Sequence, residues 1–141
     1  LFSLFFIYTT QKTMAQIAIR EYDAKRMFTT FQSSSYRGYL IESQSDIDSF
    51  DALELDKDMK WVIKPDQLFG KRGKYGLLGV NMNNADIRKW WSDHNEKDTT
   101  IGKQVGKLTT FLIEPFVHHA DEYYVAIKTE RDNDVIYFSH A

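Results

Sequence analysis

The chain has 141 residues, a formal net charge of −2, 43% hydrophobic and 15% aromatic residues, and no cysteine. That length suits about one domain with a real core, and the near-neutral charge gives no broad electrostatic case for nucleic acid. The absence of cysteine excludes disulfides, thiolate nucleophiles and zinc–thiolate sites, and is compatible with a reducing cytoplasm.

Leu1 to Thr13 differs from everything after it. The run LFSLFFIY is far short of the roughly 20 residues a membrane span needs. It lacks the basic start and small-residue cleavage site of a signal peptide. Met14 begins an ordinary protein start, so residues 1–13 are expected to be a non-native leader outside the domain, translated upstream sequence or a tag-like scar, rather than an apolar arm. The domain itself is expected to run over residues 14–141.

After a strand-like entry, Ala24, Met27, Phe28 and Phe31 fall at helical spacing and predict a helix with that stripe toward the core. Glu21, Asp23, Lys25 and Arg26 fall largely on the solvated side. Ser33-Ser34-Ser35 ends the helix, and Tyr36 to Glu42 predicts a short strand. Ser45 then caps a second helix over Asp46 to Leu55, with Ile47 and Phe50 inward.

The stretch from Trp61 to Asn81, WVIKPDQLFGKRGKYGLLGVN, reads as strand, basic glycine loop, strand. Aromatic and β-branched residues favour the pleat, while glycine and proline break it. Gly70 and Gly73 flank Lys71 and Arg72, so backbone and cations could approach one small anion such as a polyphosphate. An ordinary basic hairpin turn has the same composition. Either way, Lys71 to Lys74 is expected to be exposed and mobile, because clustered cations repel.

Asn83 or Asn84 caps a third helix with Ile87, Trp90, Trp91 and His94 in helical spacing. Ser92 to Gly106 reads as a mobile loop. Leu108 to Pro115 predicts a buried strand interrupted by Glu114. Glu122 to Thr129 and Val135 to His140 form a hairpin about Arg131–Asp134. Four histidines show no metal-ligand spacing beyond His118-His119, which a strand would point to opposite faces. The Glu114-to-Glu122 segment could hold a nucleotide, with free backbone groups at Phe116 and Val117 on the adenine edge and a carboxylate on the ribose. It could equally hold a strand-end acid paired with Lys or Arg. If Trp61–Lys64 and Leu108–Pro115 share a sheet, their proline-terminated ends should open onto a common rim.

Three segments, Ile19–Phe28 (IREYDAKRMF), Val62–Asn81 (VIKPDQLFGKRGKYGLLGVN) and Phe111–Ile127 (FLIEPFVHHADEYYVAI), together resemble the ATP-citrate lyase family, in the first part of its ATP-grasp portion. A more distant similarity is to the β subunit of succinyl-CoA synthetase. Lys64-Pro65-Asp66 and Phe116-Val117 favour the citrate family. A non-catalytic nucleotide-binding or regulatory relative would share the fold.

The resemblance implies an α+β ATP-grasp fold, truncated at its C-terminus, with a mixed or antiparallel sheet flanked by helices. It implies ATP contacts at Lys64, Arg72, Gly73, Glu114, Phe116, Val117 and Glu122. Lys64 and Arg72-Gly73 would serve the phosphates, Glu114 with Phe116-Val117 the adenine side, and Glu122 the ribose. His118 stands where a proline is common. The family implies an enzyme that uses ATP, magnesium and coenzyme A to cleave citrate to acetyl-CoA and oxaloacetate through a phosphorylated histidine. It further implies a cytoplasmic oligomer, with no nucleic acid or membrane partner. The metal ligands, that histidine and the citrate and coenzyme A sites are expected outside this chain, on a second subunit or a C-terminal portion, so no catalytic residue is assigned here.

Overall fold

A computed structural model describes residues 17–53 and 58–140. The leader expected at residues 1–13 lies outside them. The described residues form two compact units, one over 19–116 and one made chiefly of 117–140.

The larger unit contains α1 (Glu21–Phe31), β1 (Tyr39–Ile41), α2 (Gln44–Asp51), β2 (Trp61–Pro65), a 3₁₀ turn at Arg72–Tyr75, β3 (Gly79–Met82), α3 (Asn84–His94), β4 (Asp98–Ile101), β5 (Gln104–Lys107) and β6 (Phe111–Pro115). Four strands make one sheet in the order β1-β6-β2-β3, and every pairing in it is antiparallel. In the central pair, Trp61 stands opposite Pro115, Ile63 opposite Ile113 and Pro65 opposite Phe111. Successive side chains on a strand alternate faces, so Trp61, Ile63, Phe111 and Ile113 share one side. On that side they pack with Ile47 and Phe50 of α2 and Ile87 and Trp91 of α3. Phe50, Tyr39 and Trp61 meet edge to face, with centroids 5.2–5.9 Å apart, the arrangement that aromatic quadrupoles favour. Gly79 lies so close to this layer that a Cβ would meet Ile63 Cγ2 and Met82 Sδ at 2.7 Å.

Helix ends follow their side chains. Asn83 Oδ1 accepts from the Asp86 amide at 2.9 Å. In α2 the cap is Ser43, whose hydroxyl accepts from the Asp46 amide, two residues before the expected Ser45. The expected loop over Ser92–Gly106 contains the β4–β5 hairpin, with Ile101 opposite Gln104 and Gly102 at φ +63° in its two-residue turn.

Helix α1 departs most from expectation. Its predicted inward stripe faces solvent: Met27 is 61%, Phe28 54% and Phe31 90% exposed, and only Ala24 is buried. Glu21 and Lys25 instead meet the second face of the sheet, which carries Val62, Lys64, Leu112 and Glu114.

In the smaller unit, β7 (Tyr123–Thr129) and β8 (Asp134–His140) pair over seven positions from Tyr123↔His140 to Thr129↔Asp134. The Glu130 amide donates to the Asn133 carbonyl at 2.8 Å to close the expected turn.

Phe50→Ala should cost about 3–5 kcal/mol of unfolding free energy in urea titrations, whereas Phe31→Ala should stay within about 0.5 kcal/mol of wild type. Equal losses would show that α1 does bury its apolar stripe.

Candidate functional site

The second face of the four-stranded sheet holds a buried ionic cluster. Lys64 stands opposite Leu112, and Val62 opposite Glu114, so Lys64 and Glu114 are diagonal neighbours on one face. Lys64 Nζ donates to Glu114 Oε1 and to Glu21 Oε1, each at 2.6 Å. Lys25 lies one helical turn after Glu21, where side chains share a face. Its Nζ reaches both Glu114 oxygens at 2.8 and 2.7 Å and Glu21 Oε1 at 2.8 Å. The Tyr36 hydroxyl donates to Glu114 Oε2 at 2.8 Å. From the loop after β2, Arg72 donates to Glu21 Oε2 at 2.6 Å and to the Pro65 carbonyl at 2.7 Å.

Asp66 ties the helix to this cluster. Arg20, at the N-cap of α1, gives no side-chain cap. The two Asp66 carboxylate oxygens accept instead from the Glu21 and Tyr22 amides at 3.0 and 3.2 Å, a cap supplied from 45 residues away. The first turn of α1 is thereby fixed to the end of β2.

Glu21, Asp66 and Glu114 carry three formal negative charges, and Lys25, Lys64 and Arg72 three positive ones. Side-chain exposure is only 9% for Lys64 and 8% for Glu114, so each charge depends on its neighbours. Burial alone would raise the Glu21 carboxyl, but Lys64, Lys25 and Arg72 outweigh it and hold it far below its ordinary value of 4.5. Burial opposes ionisation of Glu114 as well, and Lys64 and Lys25 again win, lowering it. Lys25 is pushed down by burial and more strongly up by Glu21 and Glu114, for a net rise above 10.5. Asp66 moves the other way: burial raises it above 3.8, and the nearby Glu21 charge adds to that despite the amides it accepts from.

The family model for the ATP-citrate synthase ATP-grasp domain matches residues 15–141. The chain belongs to that family. It is 37% identical over 133 residues to an ATP-citrate synthase subunit alpha chain of Oryza sativa subsp. japonica, covering 89% of this chain and 33% of the relative. Against the ATP-citrate synthase of Homo sapiens it is 46% identical over 81 residues, which is 56% of this chain and 7% of that one. The solved ATP citrate lyase of Methanothrix soehngenii, in complex with citrate and coenzyme A, superposes with a TM-score of 0.76 at 36% identity, over 86% of this chain and 31% of that one. The chain thus spans about a third of the plant relative's length. The expected α+β ATP-grasp fold, with an antiparallel sheet flanked by helices, holds for this member.

Within the larger unit, Lys64, Arg72 and Glu114 come together around Glu21, but not at a common rim. Because β2 and β6 are antiparallel, their C-terminal ends lie at opposite edges, and the three residues meet over the face of the sheet. Glu114 is a paired acid, bonded to two lysines and a tyrosine. The basic loop is only partly exposed: Lys71, Gly73 and Lys74 face solvent, while Arg72 is held to Glu21 with 16% of its side chain exposed. Its left-handed positions are Lys71 at φ +64° and Gly76 at φ +67°, not the glycines that flank the Lys-Arg pair. The Phe116 amide is not free, since it donates to the Lys60 carbonyl at 2.8 Å.

Val117 and Glu122 belong to the smaller unit, and both are exposed. His119 bridges them, with Nδ1 3.0 Å from the Val117 carbonyl and Nε2 2.9 Å from Glu122 Oε1. Both partners are acceptors, so each contact is a hydrogen bond only when its ring nitrogen carries a proton, and the imidazolium makes both. The Val117 carbonyl and then Glu122 accordingly raise the imidazole above its usual 6.5. Sequence reasoning missed Glu21, Lys25, Tyr36 and Asp66 as members of the cluster. The available signal was the Glu21–Lys25 spacing combined with a polar residue, Lys64 or Glu114, in each central strand.

Stability of the larger unit should be flat between about pH 5 and 10 and fall in acid. Glu21 and Glu114 have depressed folded values, so their contribution is complete above 4.5 and is lost as pH falls through those values. Asp66, raised above 3.8, offsets part of that loss. Lys25, raised above 10.5, loses its contribution only as pH rises beyond that value. Glu114→Gln leaves Lys64 and Lys25 with Glu21 alone and the buried cluster with one positive charge in excess, and should cost about 3 kcal/mol or more at pH 7. Thermal melts across pH would check both, and a melting temperature that is unchanged at pH 3 would contradict the ionic account.

Proposed function

We propose that this chain is the nucleotide-handling part of an ATP-citrate synthase, whose complete form uses ATP and coenzyme A to cleave citrate to acetyl-CoA and oxaloacetate. The observation that supports this most is the pairing of Lys64 and Arg72 on one anion. A carboxylate, Glu21, lies between an ammonium and a guanidinium, each 2.6 Å from one of its oxygens. Phosphate oxygens present the same chemistry to the same donors. The residues therefore fit a polyphosphate, and they do so inside a member of an ATP-grasp family.

When bound, ATP supplies the transferable phosphoryl group. Lys64 and Arg72 would neutralise and orient its phosphates, with the exposed residue Gly73 next in the chain. Glu114, expected on the adenine side, would act through Lys64 and Lys25 by holding those ammonium groups in place. Phe116 would offer its side chain to the adenine, because its amide is engaged. Val117 would provide backbone, and Glu122 would accept from ribose hydroxyls in competition with His119. Among the described residues no group of three or more acidic or histidine side chains is placed to hold a metal ion, so magnesium has no ligand assigned in this chain.

We place those ligands, the phosphorylated histidine and the citrate and coenzyme A sites in the parts of the enzyme that this chain does not span, on the same chain or a second subunit of an oligomer. None of the described helices is long and apolar enough to cross a membrane, in keeping with the cytoplasmic setting proposed for the enzyme.

Calorimetric titration of the 141-residue chain with ATP tests the reading. Arg72→Ala should weaken binding at least tenfold, since one charge-assisted hydrogen bond contributes about 1.5–3 kcal/mol. Identical ATP affinity in that variant and wild type would remove the nucleotide assignment.

A further inference from the structure

We infer that Glu21 is an internal competitor for the phosphate site: its carboxylate latches Arg72 while no nucleotide is bound, and the incoming polyphosphate takes Arg72 from it. This rests on the nucleotide reading of Lys64 and Arg72 given above.

The two oxygens of Glu21 are used differently. Oε1 is shared by Lys64 at 2.6 Å and Lys25 at 2.8 Å, whereas Oε2 accepts from Arg72 at 2.6 Å. If Arg72 departs, Glu21 keeps two ammonium partners and is not left as a bare buried charge, so the exchange avoids the large cost of orphaning an ion. Lys64 has no such freedom. It is buried on a central strand and shared by Glu21 and Glu114, so moving it would disturb the sheet and take a partner from both carboxylates at once, whereas release of Arg72 takes one from Glu21 alone. Arg72 is therefore the releasable cation of the pair.

The backbone around Arg72 suits that role. It opens a four-residue 3₁₀ turn with left-handed residues at each border, Lys71 and Gly76, and its neighbours Lys71, Gly73 and Lys74 are exposed. Two side-chain bonds, to Glu21 and to the Pro65 carbonyl, hold the guanidinium down while the turn around it faces water. The competitor, by contrast, is fixed. Glu21 begins α1, and its amide is bonded to Asp66 at 3.0 Å, so it cannot follow Arg72 outward.

Charge completes the argument. With Glu21 ionised, the six-group cluster is formally neutral and presents no net attraction to a polyanion. Without that charge it is formally +1, and Arg72 is free to turn to the ligand. Removing the Glu21 charge should therefore strengthen nucleotide binding, opposite in sign to removal of an ordinary positioning residue.

The experiment is an ATP titration of the 141-residue chain as wild type, Glu21→Gln, Arg72→Ala and the double variant, each checked for folding by circular dichroism. Glu21→Gln should bind ATP about tenfold more tightly than wild type, and that gain should vanish in the Arg72→Ala background, as coupled partners require. Unchanged or weaker binding by Glu21→Gln, with Arg72→Ala still weakened, overturns the latch and leaves the nucleotide site standing. Binding indifferent to Arg72→Ala, or absent from every variant at millimolar ATP, overturns the nucleotide reading itself. Should Glu21→Gln fail to fold, Glu21→Asp keeps the charge but withdraws it by one methylene. It should shift affinity in the same direction by a smaller factor, and no gain there also rejects the latch.

Discussion

The antiparallel register of β2 against β6 is the constraint on which the rest of the larger unit depends. It sets Ile63 against Ile113 on one face and Lys64 diagonal to Glu114 on the other. A slip of one residue would exchange the faces, driving an ammonium and a carboxylate into the layer under α2 and α3. Each face independently penalises that error. The apolar face would lose burial, and the ionic face would lose its partners. The same register decides what α1 can be, because a helix laid over Lys64 and Glu114 must bring charge with it. Glu21 and Lys25, one turn apart, supply one of each sign.

Much of the architecture was legible in the sequence because it follows local rules. Apolar runs at Trp61–Ile63 and Phe111–Ile113 gave the central strands, and the spacing of Ile47 with Phe50 and of Ile87 with Trp91 gave the inward faces of α2 and α3. Glu122–Thr129 and Val135–His140 gave the second hairpin to within a residue. The misses share a physical cause. Helical periodicity locates an apolar face but does not say which face meets the protein. For α1 the answer came from a sheet face whose charge is invisible until Lys64 and Glu114 are seen to be neighbours, 50 positions apart. The β4–β5 hairpin was missed because Thr99, Thr100 and Gln104 are too polar to mark a buried strand; Gly102 in a two-residue turn was the remaining cue.

The candidate site shows the same division. The basic loop and the strand lysine could be singled out by residue type, and the resemblance to a family of ATP users supplied roles. The inference that two proline-terminated strands share a rim failed, because strand ends coincide only in parallel pairs. Their side chains meet over the face instead. Asp66 shows a further limit: a helix cap is normally sought at the residue before the helix, whereas here it arrives from the far side of β2 and leaves no local trace.

A buried ionic cluster is poor evidence of a protein optimising stability, since well-packed apolar residues of similar volume often serve as well or better. Its presence on one face, while the other is packed with aromatic and aliphatic side chains, calls for a chemical reason. Two cations intended for a polyanion would repel each other and resist burial whenever that polyanion was absent. Glu21, bonded to both Lys64 and Arg72, offsets that repulsion here. On the proposed nucleotide reading, the same carboxylate then opposes the ligand that these cations would meet. Sites that hold charge ready for a ligand must accept either instability when empty or competition when filling. Under the latch proposed above, this chain stands on the side of competition, with the burden carried by one arginine on a turn rather than by the lysine in the sheet.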